Sequence, residues 1–354
     1  ELNAQQTSYC STVSRLVTHA ITTVQSDPQF RWFVLSPSPM KHPIADSNEE
    51  SPFGLLTPEE FYAKHSVVHS TNYFVNSRGL RLFTQTWAPL SPPYRGLVAV
   101  VHGFTGESSW TVQLTSIMFA SAGFVVCAID HQGHGYSEGL LYHIPDISPV
   151  VDDCVQFFSD FREKNAPRLP AFLYGESLGG AISLLVALRQ KGMWNGVVLN
   201  GAMCGISGKF KPPWPLEHLL SIAAKLIPTW PVIPTRGNIP DVSFKEEWKR
   251  KLVVASPRRL LLKPRAATAL ELMRVCKELQ ERFEEVDLPL LIVHGECDVI
   301  CDPECVKDLH SRACSSDKTL KIYPGALHQL VGEPEETVDL IFGDVVEWMK
   351  KRSE

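Results

Sequence analysis

Residues 171–190 read AFLYGESLGGAISLLVALRQ, and this stretch decides the fold. A short apolar run typical of a strand precedes Gly175, and an apolar run of helical length follows Ser177. A strand joined to a helix by a sharp Gly-x-Ser-x-Gly turn is the setting of a nucleophile elbow, although a plain turn that caps a helix has the same letters. We predict that Ser177 is a nucleophile in a strained backbone conformation, and that Gly175 and Gly179 let the strand and the helix cross closely.

A serine nucleophile needs a base and an acid, and in this kind of fold the chain order is serine, acid, histidine. The apolar run at 290–295 predicts a buried strand, and the loop after it carries Asp298. A last strand at 320–323 is followed by a Pro-Gly turn and then His328. Because these two loops converge on the elbow in such a fold, we predict a catalytic triad of Ser177, Asp298 and His328.

Other carboxylates and imidazoles compete for these two roles. Glu296 and Asp302 share the acid loop with Asp298. His310 follows the acid loop, but it falls in a helical stretch before the last strand. Four further histidines lie at earlier strand ends and precede the acid: His102, His131, His134 and His294. Chain order and position after the last strand therefore favour His328.

The oxyanion hole is predicted where an earlier strand ends. The apolar run at 97–101 leads into His102 and Gly103, and a glycine lets the backbone turn so that amides face the pocket. We assign the two oxyanion donors to the backbone N–H groups of Phe104 and Leu178. His102 and Gly103 are then supporting residues, together with the two glycines of the elbow. A plain turn at a strand end is the alternative interpretation.

These motifs together resemble a known family. The chain is similar to the α/β-hydrolases of the monoglyceride lipase-like, serine aminopeptidase S33-type group, in its plant branch with caffeoylshikimate esterase and lysophospholipase-like members. The resemblance runs from about residue 55 to the C-terminus. The motifs that carry it are His102-Gly103-Phe104, Asp130 to Ser137, Gly175 to Gly180, Cys297-Asp298 and Asp317 to His328.

The resemblance implies an α/β-hydrolase fold, with a mainly parallel central sheet, helices on both faces and an inserted helical cap. It also implies a serine hydrolase that cleaves monoacylglycerol or a related amphiphilic ester through an acyl-enzyme, with no cofactor and no metal. Glu176, Leu178 and Ser108 stand where animal monoglyceride lipases carry His, Met and His. Lysophospholipids and phenolic esters therefore remain candidate substrates. An acyltransferase and a non-enzymatic ligand receptor on the same triad are the alternative functions.

Composition and pattern divide the chain into four parts. Residues 1–57 are predicted as an N-terminal extension and linker, and 58–206 as the first part of the hydrolase core. Residues 207–286 are predicted as the cap insertion, because the alternation of strands and helices stops there, and 287–354 as the second part of the core. Apolar runs on both sides of residues 76–79 predict a strand hairpin.

The predicted cap contains an apolar helical face with two interpretations. Its residues are Leu216, Leu219, Leu220, Ala223, Leu226 and Ile227. Either this face packs on the core, or it lines an acyl pocket or touches a bilayer. We name as candidate pocket residues Leu216, Leu219, Leu220 and Ala223. The nearby basic side chains face either solvent or anionic headgroups: Lys209, Lys211, Lys245, Lys249, Arg250 and Lys251.

Composition limits the partners and the compartment. A net charge of −5 argues against nucleic acid as a partner. No segment has the ~18 apolar residues of a membrane span, so a peripheral contact through the cap is the only membrane association predicted. Nine cysteines, an odd number, favour reduced thiols and a cytoplasmic location, or a plastid if a targeting segment was removed. Cys297, Cys301 and Cys305 recur every four residues, but no histidine pattern accompanies them, so no metal is predicted.

Overall fold

Eight strands form one sheet in the part of the chain that the structure describes, residues 40–209, 216–233 and 239–354 of this computed structural model. The strands are β1 (Val67–Val75), β2 (Arg81–Pro89), β3 (Gly96–Val101), β4 (Phe124–Ile129), β5 (Ala171–Glu176), β6 (Gly196–Asn200), β7 (Leu290–Gly295) and β8 (Lys318–Tyr323). Their order across the sheet is β1-β2-β4-β3-β5-β6-β7-β8.

The sheet is antiparallel at one edge and parallel elsewhere. β1 and β2 form the predicted hairpin, with Val75 opposite Arg81, and β2 runs antiparallel to β4. From β4 to β8, all neighbouring strands are parallel. Strands covered on both faces are apolar throughout rather than alternating, and every residue of β3, β4 and β7 is buried. The predicted α/β-hydrolase sheet is confirmed.

Helices cover both faces of this sheet. In the described residues the α-helices are α1 (Pro58–Lys64), α2 (Thr111–Ser121), α3 (Ser148–Asn165), α4 (Leu178–Arg189), α5 (Leu216–Leu226), α6 (Ile239–Ser243), α7 (Glu247–Val254), α8 (Ala266–Glu281), α9 (Pro303–Arg312) and α10 (Glu335–Lys350). Leu173 of β5 packs in the cluster formed with α3, α4, α8 and α9. On the opposite face, the Phe172 ring lies 6.2 Å from Trp348 of α10, and the Tyr174 ring lies 5.0 Å from Phe119 of α2.

The residues before α1 differ from the linker expected there. Ile44 is buried within a 3₁₀ turn, Pro43–Asp46. The His42 ring packs 4.5 Å from the ring of Phe342, and its Nε2 atom lies 3.2 Å from the hydroxyl of Thr115. A compact unit therefore spans Lys41–Glu354. A composition rich in Pro, Ser and Asn did not reveal these few buried anchors, and residues 1–39 lie outside the described part of the chain.

The segment between β6 and β7 carries helices α5 to α8, where the cap was predicted. Leu220, Ile233 and Ala266 form a small buried cluster in it, and Ala223 packs against this cluster. Leu219 is exposed, as are the apolar side chains that follow: Ile222, Leu226, Trp230 and Val232. None of the helices in the described ranges combines the length and apolarity that a membrane span requires.

Candidate active site

The elbow between β5 and α4 has the strained geometry predicted from the sequence. Ser177 has φ 54° and ψ −119°, a left-handed φ that few residues other than glycine adopt. A Cβ atom on Gly175 would lie 2.3 Å from the carbonyl oxygen of Gly179, and one on Gly179 would lie 2.0 Å from the carbonyl oxygen of Val101. Only glycine fits at these two positions, so strand and helix cross closely beneath the serine.

The structure brings the three predicted triad residues together. The Nε2 atom of His328 lies 3.1 Å from the hydroxyl of Ser177, and its Nδ1 atom lies 2.7 Å from Oδ2 of Asp298. His328 follows β8 and Asp298 follows β7, and both side chains are buried. Because Nδ1 faces a carboxylate, it carries the proton, and the lone pair of Nε2 then faces the serine. In this tautomer the imidazole is able to accept the serine proton.

Asp298 is held by more groups than the sequence indicated. Its Oδ1 atom accepts hydrogen bonds from the backbone N–H groups of Ile300, at 2.8 Å, and Cys301, at 2.9 Å. The Nε2 atom of His294 lies 3.2 Å from Oδ2. Burial alone would raise the pKa of the Asp298 carboxyl, but the electrostatic interactions and hydrogen bonds with His328 and His294 outweigh burial and lower it. Asp298 is therefore kept ionised beside the imidazole.

The sequence treated His294 as a rival base, whereas the structure places it behind the acid. Its Nε2 atom also lies 3.3 Å from the carbonyl oxygen of Cys301, so this nitrogen carries a proton and donates it. The spacing of four residues between His294 and Asp298, across the end of β7, is the only sequence signal for this contact.

The other rivals have structural roles in the described residues. Asp302 caps α9 by accepting a hydrogen bond from the N–H of Glu304 at 3.0 Å. Glu296 accepts a hydrogen bond from the N–H of Gly325 at 3.0 Å, in the turn that precedes His328. His310 lies within α9.

The loop after β3 lies directly against the serine. A Cβ atom on Gly103 would lie 3.1 Å from Cβ of Ser177, so a side chain there would press on the elbow. Among the hydrogen bonds of the described residues, neither the N–H of Phe104 nor that of Leu178 has an acceptor. Two free amides in the two backbone segments that meet at the hydroxyl are suited to hold an oxyanion.

His102 ties this loop to the loop after β4. Its Nδ1 atom lies 2.9 Å from the carbonyl oxygen of Gly103 and therefore donates to it. Its Nε2 atom accepts a hydrogen bond from the N–H of His131 at 3.0 Å. Burial lowers the pKa of His102 to about 4, so the ring is neutral and bridges the two loops rather than acting as a base.

Two buried acids lie behind the same loop. Asp130 accepts hydrogen bonds from the N–H groups of Ser108, at 2.7 Å, and Tyr136, at 3.1 Å. Glu107 accepts hydrogen bonds from Ser109, and at 3.4 Å from the hydroxyl of Ser256, which belongs to the segment between β6 and β7. Burial raises the pKa of both carboxyls, and the charge of Asp130 adds to the rise at Glu107. Glu107 and Asp130 therefore join the loop after β3, where the oxyanion hole was predicted (the oxyanion loop, residues 102–110), to its neighbours.

A cleft opens above Ser177 and His328, and its walls are largely apolar. The segment between β6 and β7 contributes Leu220, Ile233, Ile239, Phe244, Leu272 and Met273 to them. Of the four candidate pocket residues, Leu220 lines the cleft and is 2% exposed, whereas Leu219 is 50% exposed and does not line it. Successive helical residues differ by about 100° in direction, so the two leucines face different surroundings. Ala223 packs behind Leu220, and the side chain of Leu216 lies outside the described residues.

Basic residues of the segment between β6 and β7 hold the loop that follows β8 and carries His328 (residues 324–334, the histidine loop). The buried Lys249 of α7 donates hydrogen bonds to the carbonyl oxygens of Val331, at 3.1 Å, and Glu333, at 2.5 Å. Burial lowers the pKa of Lys249 to about 8. The Glu333 carboxylate in turn accepts a hydrogen bond from the N–H of Leu327, next to His328, at 2.7 Å. Other basic residues also pair with carboxylates: Lys245 with Glu333, Arg250 with Asp241, and Lys251 with Glu49 and Glu247.

One group of side chains has the composition of a metal site. Ligand atoms of Asp298, Cys301 and His328 lie within 4.8 Å of one another. Burial raises the pKa of the Cys301 thiol well above its usual range, which disfavours the thiolate that binds metals. Nδ1 of His328 is also committed to the carboxylate, and Nε2 faces the serine. Hydrogen bonding within a triad accounts for this group more directly than metal binding.

The residues from the loop after β3 to the histidine loop fall within one family model. The model for serine aminopeptidase, S33, matches residues 92–335. The chain belongs to this family of α/β-hydrolases. Within it, the chain is a carboxylic ester hydrolase of the monoglyceride lipase-like type, related both to monoglyceride lipases and to caffeoylshikimate esterase.

Two curated relatives of this S33 hydrolase span most of its length. Caffeoylshikimate esterase of Arabidopsis thaliana is 33% identical over 303 residues, which are 85% of this chain and 91% of the relative. Human monoglyceride lipase is 30% identical over 284 residues, 79% of this chain and 90% of the relative. A soluble variant of the Saccharomyces cerevisiae monoglyceride lipase, solved with a substrate analog, superposes with a TM-score of 0.70 at 23% identity, covering 79% of this chain and 94% of the other. This last likeness supports the fold.

Proposed function

We propose that this S33 hydrolase cleaves amphiphilic carboxylic esters by acyl transfer to Ser177. The observation that carries the proposal is the hydrogen-bonded series Ser177–His328–Asp298 at the base of an apolar cleft. Nε2 of His328 takes the serine proton as the hydroxyl attacks the ester carbonyl. Asp298 holds the imidazole in the required tautomer and stabilises the imidazolium that forms.

The free amides of Phe104 and Leu178 receive the developing oxyanion. Such donors contribute about 3–4 kcal/mol each in comparable sites, because they are already oriented when charge develops. His328 next protonates the leaving alcohol, and the acyl group stays on Ser177 as an ester. The same imidazole then removes a proton from water, which releases the carboxylic acid and restores the serine.

The apolar walls favour an ester with an extended acyl part. Leu220 and Met273 present only hydrocarbon or thioether surface to the cleft, and each buried CH₂ of a ligand is worth ~0.8 kcal/mol. The two relatives named above act, by their names, on monoglycerides and on a caffeoyl ester, and both are amphiphilic carboxylic esters. We propose monoacylglycerol or a related lipid ester as the substrate class, with a phenolic ester as the second candidate.

The exposed apolar side chains of the predicted cap support a peripheral membrane contact. Leu219, Ile222, Leu226, Trp230 and Val232 are exposed and follow one another along α5 and the residues after it. Amphiphilic esters reside in bilayers and micelles, so such a surface next to the cleft brings the active site to its substrate.

A hydrolysis screen tests this proposal. The purified chain is assayed with a long-chain monoacylglycerol, a lysophospholipid and a caffeoyl ester, each with Ser177→Ala as the control. We expect turnover of at least one of these esters that is lost in the variant. Turnover that survives in Ser177→Ala would contradict the mechanism, and no turnover of any ester would contradict the substrate class.

A further inference from the structure

Arg259 is a half-buried cation in the same cleft as the serine. It lies between α7 and α8, and it lines the cleft together with Gly103, Phe104 and Ser177. One Nη atom donates a hydrogen bond to the hydroxyl of Thr105 at 3.2 Å. Its Nε atom is buried, and no described residue accepts a hydrogen bond from it. The guanidinium therefore has unused donor capacity at the wall of the active site.

No described carboxylate forms an ion pair with Arg259 within 4.0 Å. Burial lowers the pKa of Arg259, while the neighbouring Tyr142 and Glu107 act in the opposite direction. Burial also raises the pKa of the Glu107 carboxyl, so this group compensates the guanidinium incompletely near neutral pH. A largely buried charge without a close counter-charge is unfavourable, unless a bound ligand supplies that counter-charge.

The position of Arg259 in the cleft suits one part of an ester substrate. The apolar walls of the cleft suit the acyl chain, because hydrocarbon that packs against them is removed from water. Hydrocarbon placed beside a guanidinium would gain nothing and would desolvate the charge. Arg259 contacts Thr105, which follows the proposed oxyanion donor Phe104, so its free donors lie at the wall close to the ester group rather than deep among the apolar side chains. A guanidinium binds planar carboxylates and phosphates through two parallel hydrogen bonds.

We propose that Arg259 binds an anionic group, a carboxylate or a phosphate, on the alcohol part of the ester and makes the enzyme prefer anionic esters. This specificity rests on the hydrolytic function proposed above, and within that substrate class it favours lipid or phenolic esters with an anionic alcohol part over neutral monoacylglycerol. The competing explanation is that Arg259 only steadies the oxyanion loop through Thr105. In that case its loss would slow the hydrolysis of all esters equally.

The test compares aryl acetates that differ in one substituent. 4-Acetoxybenzoate carries a carboxylate on its alcohol part, 4-acetoxybenzamide carries a neutral group of the same shape, and 4-acetoxyphenyl phosphate carries a phosphate. The value of kcat/KM for each ester is divided by its rate of alkaline hydrolysis, which removes differences in leaving-group reactivity. Arg259→Gln removes the charge, and Arg259→Lys keeps it without the paired donors.

We expect the wild type to prefer at least one anionic ester over the amide by about tenfold or more, the usual effect of a hydrogen bond to a charged group. Arg259→Gln should abolish this preference, and Arg259→Lys should keep part of it. Whichever anion is preferred more strongly assigns the site to carboxylates or to phosphates. The matched control is Arg258→Gln, because the exposed Arg258 lies 3.9 Å above the Tyr136 ring outside this cleft, and it should keep the preference.

A preference that is absent in the wild type, or unchanged in Arg259→Gln, would overturn the proposal. An equal loss on all three esters would do the same and would leave Arg259 as a support of the loop. If the wild type hydrolyses none of them, the hydrolytic function itself fails. Should Arg259→Gln not fold, competitive inhibition of the wild type is measured instead. We expect 4-hydroxybenzoate to bind at least about tenfold more tightly than 4-hydroxybenzamide. Equal binding of the two inhibitors would contradict the proposal.

Discussion

The loops that carry the triad and the helices of the predicted cap are built in different ways. Asp298 has hydrogen-bond partners on both of its oxygens, and the loop of His328 is tied down through Glu333 and Lys249. Helix α5 instead leaves Leu219 and Leu226 in contact with solvent and buries Leu220. Residues that must meet within a fraction of an ångström are held by several hydrogen bonds, whereas residues that need only present apolar surface are not. The proposed chemistry therefore depends on single atoms, and the proposed substrate preference depends on a surface.

Replacement of the nucleophile should lower the rate of ester hydrolysis more than any other substitution. Ser177→Ala removes the atom that accepts the acyl group, so ester hydrolysis should fall by roughly 10⁵-fold or more. The control is Ser183→Ala in the same helix, because the Ser183 hydroxyl is buried and has no hydrogen-bond partner among the described residues. Its rate should stay near that of the wild type. Residual rates of both variants are measured with a soluble short-chain ester.

The acid should have the next largest effect. Asp298→Asn keeps the shape but lets the histidine adopt the wrong tautomer, so kcat should fall by about 10³–10⁴-fold. Asp302→Asn is the matched control in the same loop, since asparagine also caps helices and α9 should be kept. Similar losses in both variants would mean that disturbance of the loop, rather than the contact with His328, determines the rate.

Substitutions in the predicted cap should change preference more than chemistry. Leu220→Ser should lower kcat/KM for a long-chain ester by about tenfold more than for a butyrate, because only the long chain needs the apolar wall. Leu219→Ser should leave the ratio between the two esters unchanged when both are monomeric, since Leu219 does not line the cleft. Equal losses on the two esters in Leu220→Ser would show that this leucine serves packing alone.

The smallest effect concerns the junction of the two regions, where Ser256 meets Glu107. Burial raises the pKa of the Glu107 carboxyl in the folded state, so the folded protein holds a proton that the unfolded chain releases. The contribution of Glu107 to the free energy of unfolding is therefore fully present below the ordinary carboxyl pKa, and it is lost as the pH rises to neutral. Between about pH 5 and about pH 8, the free energy of unfolding should fall by about 1–2 kcal/mol less in Glu107→Gln than in the wild type.

Urea unfolding at these two pH values provides the measurement. Parallel pH dependence in the wild type and in Glu107→Gln would show that Glu107 titrates as an ordinary carboxyl.

The sequence predicted those parts of the site whose geometry is local or follows from chain order. The conformation of Ser177 depends on residues within two positions of it, and the positions of Asp298 and His328 depend on which strand precedes them. Tertiary contacts were harder to predict. Lys249 looked like one of several solvated basic residues, but it is buried against Glu333 because α7 packs on the histidine loop.

The cap shows the same limit of sequence periodicity. A helical pattern marks an apolar face, but it does not say which edge of that face is covered. Leu219 and Leu220 were equal candidates for the pocket, and the structure separates them because α8 and Ile233 cover only one side of α5. Arg259 was not singled out at all, since an arginine in a Pro- and Leu-containing stretch has no motif, and its burial depends on the loop after β3.

The acyl-enzyme mechanism is tested most directly by finding the atom that carries the acyl group. The wild type is mixed with 4-nitrophenyl butyrate and quenched in acid within the first turnovers, and its peptides are analysed by mass spectrometry. We expect one butyryl group on the peptide that contains Ser177, and none in Ser177→Ala. A butyryl group on the thiol of Cys301, which lies 4.0 Å from the serine hydroxyl, or on any other residue would contradict this mechanism.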